Sequence, residues 1–216
     1  MPNKISVVIL DDHHVVRIGL EANILQNNDF SLLGSYGTSE QLLTALTENY
    51  PHVILMDFSL GIGEMDGLNL IQFINARYPQ CKILIVSAIE LAGSIALMLR
   101  AGAKGVVSKT QPLEQLNHAI RTVALGRTYL TEKVKNELNR ELKYIGSDNE
   151  VIDPYIALSS KELEVIRCCL SGMKMTDIAN KFSKSIKTVS AQKLSAFKKM
   201  GVTSDRELFM LNSKLK

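Results

Sequence analysis

Short, almost wholly apolar segments alternate with amphipathic segments through residues 1–127, and such apolar segments are typical of strands buried on both faces of a sheet. They predict strands at Ile5 to Leu10, Phe30 to Gly34, Val53 to Met56, Lys82 to Val86 and Gly105 to Val107. The segments between them carry apolar residues at the helical spacing of three and four positions. They predict helices at Val16 to Gln26, Glu40 to Asn49, Leu68 to Tyr78, Ile95 to Ala101 and Leu113 to Leu125. Five strand–helix units predict an α/β fold with a five-stranded, doubly wound parallel sheet.

Polar residues that can take part in catalysis or binding follow the ends of four of these strands. Asp11 and Asp12 follow the first strand, and Asp57 follows the third. Ser87 follows the fourth strand, and Lys109 lies just beyond the fifth. Because the carboxyl ends of parallel strands meet at one crevice where ligands bind, we expect these side chains to share a site.

Three carboxylates at that crevice repel one another unless a cation lies among them. Oxygen ligands of this kind suit Mg²⁺. The candidate metal ligands are the side chains of Asp11, Asp12 and Asp57 and the backbone carbonyl of Ser59. The sequence therefore predicts a magnesium site.

Asp57, at the end of the central predicted strand, is the candidate phosphoacceptor. A carboxylate can attack phosphorus and become an acyl phosphate, with a metal ion neutralising the phosphoryl donor. The ammonium of Lys109 would pair with one phosphoryl oxygen, and the hydroxyl of Ser87 would hydrogen-bond to another. The pattern predicts a phosphorylation site.

Histidine and cysteine residues do not indicate a further metal site or a disulfide framework. No other His or Cys accompanies His13 and His14 at ligand spacing, so we expect this pair to begin a helix. Cys81, Cys168 and Cys169 are too few and poorly spaced for disulfides, and they are expected to be buried thiols, with redox sensing as the alternative for Cys168 or Cys169.

Charge separates the chain into parts with different partners. Residues 1–127 contain nine Lys/Arg and eleven Asp/Glu, and residues 128–157 contain four and six. Residues 158–216 contain twelve Lys/Arg and five Asp/Glu. This basic part gives the whole chain its net charge of +3. A basic C-terminal part favours double-stranded DNA as its partner over a membrane surface, because it has a patterned core and no Trp. Residues 128–157 are predicted to form a helical extension and a linker, with the linker at 144–157.

Residues 158–216 show the pattern of a helix-turn-helix domain. Ser159 or Ser160 is predicted to cap a helix that runs to about Ser171. A short helix at Thr176 to Phe182 and a longer helix at Ile186 to Met200 follow. Helices of these lengths make a DNA-reading motif.

The longer helix divides into a core face and a DNA face at one hundred degrees per residue. Val189, Ala196 and Met200 are predicted to face the core. The stem of Lys193 is expected to pack while its ammonium reaches a phosphate. The predicted DNA contacts are Lys187, Ser190, Ala191, Lys193, Leu194 and Lys198.

These motifs resemble a known family. DDHH, Asp57 after VILM, Ser87 in VSA and Lys109 in GVVSK are similar to the receiver domain of two-component response regulators. LSxxELEV, DIAxxF, SIKTVSAQK and KKMGV resemble the LuxR-type four-helix DNA-binding domain. Together they are the layout of the NarL/FixJ class.

The resemblance implies how the protein would work. A sensor histidine kinase, a phosphotransfer protein or a small phosphodonor would phosphorylate Asp57. Receivers would then pair through their first and fifth helices, as homodimers or as heterodimers with another regulator, and bind adjacent DNA half-sites. The absence of a signal peptide or a long apolar segment predicts a cytoplasmic protein without membrane insertion.

The chain departs from the family pattern near the phosphorylation site. Val106 replaces a commonly aromatic residue, and Thr110 follows Lys109 where proline is common. The loop after Asp57 has Gly61 where the family often has proline, and is about two residues longer than usual. These departures leave open a regulator whose receiver acts as a dimerisation or heterodimerisation module without phosphorylation.

A phosphatase-like hydrolase is the remaining alternative. It would use Asp57 as its nucleophile, but Ser59 stands where a second carboxylate would serve as general acid and base. We therefore expect a regulator rather than an enzyme.

Overall fold

A computed structural model describes residues 4–61, 64–88, 92–136 and 158–214. The chain divides into two units, one containing a β-sheet and one containing the C-terminal helices. Each unit is described separately below.

The sheet has five parallel strands in the order β2-β1-β3-β4-β5. The strands are β1 (Ile5–Leu10), β2 (Phe30–Tyr36), β3 (Val53–Asp57), β4 (Lys82–Ser87) and β5 (Gly105–Ser108). This confirms the predicted doubly wound sheet and its five strands. β2, β3, β4 and β5 continue beyond their predicted ends, so Asp57 and Ser87 are the last residues of their strands.

A helix follows each strand. The helices are α1 (His14–Gln26), α2 (Ser39–Ala45), α3 (Gly67–Arg77), α4 (Ala92–Ala101) and α5 (Leu113–Ala124). α2 ends four residues before the predicted Asn49, and this prediction was wrong. Thr47 Oγ1 donates to the carbonyl of Thr44 at 2.7 Å, a side-chain bond that competes with continued helix.

Both faces of the sheet are buried. Val7 and Ile9 of β1 belong to a core cluster with residues of α1 and α5, including Ile24 and Ile120. Val8 and Leu10 point to the other face and are also buried. Burial on both sides is the physical reason that the strands are apolar throughout.

Within residues 158–214 the structure describes four helices: α6 (Ser160–Leu170), α7 (Met175–Lys181), α8 (Ile186–Met200) and α9 (Asp205–Lys214). Ser159 caps α6 in a reciprocal capping box with Glu162, as the sequence predicts. α8 ends at Gly201, whose φ of 67° is left-handed and favours glycine.

The predicted extension between the units is described only at its start, where residues 132–136 are helical. The predicted linker at 144–157 lies outside the described residues. The boundaries 1–127, 128–157 and 158–216 therefore stay predictions.

Candidate functional site

The crevice at the carboxyl edge of the sheet brings together charges from three strands. Asp57 ends β3, Asp11 follows β1, and Lys109 follows β5. The ammonium of Lys109 lies 2.8 Å from Asp57 Oδ2 and 2.8 Å from Asp11 Oδ2. Both carboxylates are buried. Lys109 therefore bridges two acidic groups that would otherwise repel each other.

Asp12 and His13 lie beside this bridge. His13 Nδ1 is 2.8 Å from Asp12 Oδ1 and 3.3 Å from Asp11 Oδ1. One ligand atom from each of Asp11, Asp12, His13 and Asp57 lies within 4.8 Å of the others. The sequence predicts that His13 and His14 begin a helix, and α1 begins at His14 with His13 as its N-cap residue. The sequence does not predict that the ring of His13 meets the carboxylates.

The electrostatic environment disfavours the charged form of Asp57. Burial raises the pKa of Asp57 above its ordinary value, the bond from Lys109 lowers it in part, and repulsion from Asp11 raises it again. Burial also lowers the pKa of Lys109, but bonds to Asp11 and Asp57 outweigh burial and raise it. The charged form of Lys109 is therefore favoured, and the charged form of Asp57 is disfavoured relative to a free carboxylate.

The carboxylate set fits a magnesium ion. Asp11, Asp12 and Asp57 offer hard oxygen donors, and the buried excess of negative charge is of the kind a divalent cation offsets. When bound, Mg²⁺ supplies charge neutralisation for an incoming phosphoryl group. The ligand role of the Ser59 carbonyl stays a prediction.

The loop after β3 is held by backbone and side-chain bonds. Ser59 N–H donates to Asp57 Oδ1 at 3.3 Å, and Leu60 N–H donates to the buried Asp66 at 3.0 Å. A Cβ placed on Gly61 would lie 3.5 Å from Asp12 Oδ2, which is ordinary contact. Asp66 therefore holds the start of the loop through its bond to Leu60, a role that the sequence did not predict.

Ser87 ends β4 one residue beyond Val86, which pairs in register with Asp57. Its side chain is buried, and its carbonyl accepts a bond from Lys109 N–H at 3.0 Å. Ser87 is therefore on the same edge of the sheet as Asp57. Val106 of β5 is buried as well, so a short aliphatic group fills the position that is commonly aromatic in the family.

α8 presents the predicted DNA face to solvent. Lys187, Ala191, Leu194 and Lys198 are exposed, and Ser190 is partly buried. Leu194 is 68% exposed. The opposite face is buried through Val189, Ala196 and Met200, which confirms the predicted core face.

Lys193 has a partner that the sequence did not reveal. Its side chain is 18% exposed, and its ammonium lies 5.2 Å from the centre of the Phe197 ring. The same ammonium donates to Asp205 Oδ2 at 2.8 Å. The predicted packed stem is confirmed, whereas the phosphate contact stays a prediction.

Glu162 links α6 to α8. It accepts bonds from Ser159 N–H at 2.6 Å, Ser195 Oγ at 2.7 Å and Lys199 Nζ at 2.7 Å. Burial raises its pKa, but bonds from Lys199, Ser195 and Ser159 outweigh burial and lower it to about 2. This carboxylate stays ionised and fixes the N-terminus of α6 against α8.

The cysteines are buried thiols, as the sequence predicts. Cys81, Cys168 and Cys169 form no disulfide among the residues that the structure describes. Burial raises the pKa of Cys81 to about 11 and also raises that of Cys169, which disfavours the reactive thiolate.

Hydropathy bears on the predicted lack of membrane insertion. Among the helices of the described residues, none is both long enough and apolar enough to cross a membrane.

Comparison with known proteins defines the class of the chain. Residues 7–121 match the model of the response regulator receiver domain, and residues 157–212 match that of bacterial regulatory proteins of the luxR family. The chain belongs to the NarL/FixJ class of response regulators, with a receiver domain and a LuxR-type DNA-binding domain. A curated relative, the oxygen regulatory protein NreC of Staphylococcus aureus (strain JH9), is 35% identical over 97% of this chain and 98% of its own length.

Solved structures of RcsB from Salmonella show similar folds. One, bound to promoter rprA with the phosphomimetic BeF3⁻, has a TM-score of 0.80 at 27% identity and covers 98% of this chain and 99% of that chain. Another, of the Salmonella typhimurium RcsB response regulator, has a TM-score of 0.83 at 29% identity and covers 99% of each chain. SIKTVSAQK and the longer loop after Asp57 favour the same likeness to RcsB.

Proposed function

We propose that this chain is a transcription regulator switched by phosphorylation of Asp57. The convergence of Asp11, Asp57 and Lys109 at one sheet edge is the observation that carries the proposal. A sensor histidine kinase, a phosphotransfer protein or a small phosphodonor provides the phosphoryl group. The luxR-family domain of the same chain binds DNA.

The residues at the crevice have separate tasks in the transfer. An oxygen of Asp57 forms a bond to phosphorus while the bond from phosphorus to the donor breaks, and the donor leaves with that electron pair. Lys109 then pairs with a phosphoryl oxygen instead of two carboxylates, and Ser87 hydrogen-bonds to another. This exchange of partners gives the phosphorylated state the differential contacts that a switch requires.

Pairing of two receivers follows as the output. Val15, Ile18 and Leu25 are exposed and fall on one side of α1, and Leu125 at the end of α5 is exposed as well. This apolar surface supports dimerisation through α1 and α5. One similar solved structure, with a TM-score of 0.60 at 29% identity, contains two RcsB dimers bound to two parallel DNAs.

The test is selection of bound sequences from a random DNA pool by the full-length protein, in Mg²⁺ and at fixed salt, with and without beryllofluoride. A paired motif enriched much more strongly with beryllofluoride is expected. The same motif at equal strength in both conditions would contradict the switch. Asp57→Ala is the matched variant, in which the difference should vanish.

A second function is favoured by one observation. Val106 is buried and lacks the ring that usually couples β5 to the hydroxyl residue at the end of β4. A receiver without that coupling serves as a constitutive homodimerisation or heterodimerisation module. Equal enrichment with and without beryllofluoride supports this second function.

A further inference from the structure

His13 lies at the acidic crevice but has no part in the phosphoryl transfer described above. It precedes α1 as the N-cap residue, yet its side chain makes no capping bond. The ring turns to the carboxylates instead, and it is 65% exposed. The neighbouring His14 is directed elsewhere, since its Nδ1 lies 3.2 Å from Arg17 Nη2.

The distances around His13 match those of a shared coordination sphere. Ligand atoms on adjacent corners of an octahedron with bonds of about 2.1 Å lie about 3.0 Å apart, and opposite ones about 4.2 Å apart. His13 Nδ1 is 2.8 Å from Asp12 Oδ1, 3.3 Å from Asp11 Oδ1 and 3.9 Å from Asp57 Oδ2. A single ion can therefore contact the ring nitrogen and carboxylate oxygens with small side-chain shifts.

We propose that His13 supplies Nδ1 as a fourth side-chain ligand, so that the crevice binds Mn²⁺ and other first-row transition ions in preference to Mg²⁺. Imidazole nitrogen favours transition ions, whereas Mg²⁺ prefers oxygen ligands and retains its waters. Ligation requires the tautomer with its proton on Nε2, and the exposure of the ring leaves Nε2 free to donate to water. The proposal rests on the metal site of the proposed function. It needs no second His or Cys, because Asp11, Asp12 and Asp57 complete the set.

Electron spin-echo envelope modulation of Mn²⁺ bound to the full-length protein tests the ligation directly. The wild type is expected to show nitrogen modulation from a coordinated imidazole. His13→Ala should lose this modulation and still bind Mn²⁺ through its carboxylates. His14→Ala is the matched control and should retain it.

Competition between the two ions tests the preference. Titration of Mg²⁺ against bound Mn²⁺, followed by the Mn²⁺ spin signal, should show that His13→Ala lowers the ratio of Mn²⁺ to Mg²⁺ affinity about tenfold or more. An unchanged ratio, or wild-type Mn²⁺ without nitrogen modulation, would overturn the proposal. The DNA selection described above is separate, because a beryllofluoride response in Mg²⁺ can persist when His13 is not a ligand.

Discussion

Two buried carboxylates, one in each unit, each pair with a lysine but differ in their pKa. Asp57 in the receiver and Glu162 in the DNA-binding domain are 5% and 6% exposed. Each lies within 2.8 Å of a lysine ammonium. The pKa of Asp57 is nevertheless raised, whereas that of Glu162 falls to about 2.

The surroundings of the two carboxylates explain the contrast. Lys199, Ser195 and Ser159 all donate to Glu162. Asp57 shares its lysine with Asp11, which also repels it. A buried carboxylate that accepts several bonds and faces no like charge stabilises the fold, while one that shares its lysine with a second carboxylate is available for a phosphoryl group or a cation.

The largest effect is expected from Asp57→Ala. This variant should lose all beryllofluoride-dependent dimerisation and DNA binding, measured by sedimentation and by DNA titration. Its free energy of unfolding should stay within about 1 kcal/mol of wild type, because a repelled charge is removed. The exposed Glu48→Ala is the control and should respond normally. An undiminished response in Asp57→Ala would exclude Asp57 as the acceptor.

Glu162→Gln should have the opposite profile, with a large loss of stability. Hydrogen bonds to a charged group contribute about 1.5 to 3 kcal/mol, and Lys199, whose side chain is 40% exposed, can turn to water when its partner is lost. Chemical denaturation of the full chain, followed for the unfolding of the C-terminal helices, measures this cost. Ser195→Ala removes one donor and should cost only about 1 kcal/mol. Equal costs for the two variants would contradict a dominant role for the charge.

The contribution of Glu162 to stability should also depend on pH. The pKa of Glu162 is lower in the folded chain than its ordinary 4.5. The stability it contributes is therefore present above about pH 4.5 and is lost as the pH falls toward 2. The loss should reach up to about 3 kcal/mol at one pKa unit per 1.4 kcal/mol. Denaturation midpoints of wild type and Glu162→Gln should converge across this range, and parallel curves would contradict the assignment.

DNA binding is expected to depend on exposed lysines such as Lys187 rather than on the pair of Glu162 and Lys199. Lys187→Ala should weaken binding by about 1 kcal/mol across sequences and reduce the salt slope by about 1. DNA titrations at several salt concentrations measure both quantities. Lys4→Ala removes an exposed receiver lysine and should leave both unchanged. A normal salt slope in Lys187→Ala would place the DNA face elsewhere on α8.

The smallest effect is expected from Asp205→Asn. This change releases the ammonium of Lys193 from its 2.8 Å bond, so that it can meet a phosphate. DNA affinity should rise a few-fold, since one exposed ion pair is worth at most about 1 kcal/mol. The gain should vanish in the double variant Lys193→Ala/Asp205→Asn. A gain that persists in the double variant would show that Lys193 does not reach DNA.

Much of the fold could be predicted because buried positions are apolar and recur with the spacing of a strand or a helix. The strand residues Val7 to Leu10 are apolar since both sheet faces are covered, and α8 buries Val189 and Ala196 on one side. The end of α2 was misjudged because Thr47 competes for a helix carbonyl, which is a local detail.

The candidate site was predictable where strand ends alone place a residue, as for Asp11, Asp57 and Lys109. Side-chain direction and long-range partners could not be predicted. The ring of His13 could have turned to solvent like other exposed histidines. The partner of Lys193, Asp205, lies twelve positions away and meets it only through the turn after α8.

The position of β3 in the sheet has a dynamic consequence. β3 has a strand on each side, so its amides are expected to exchange with solvent only when the domain opens globally. β5 is a four-residue edge strand with β4 as its only strand neighbour in the sheet. Local fraying of that edge can withdraw Lys109 from Asp57 while the acceptor stays anchored. The receiver thus carries its lysine after an edge strand and its acceptor on the central strand.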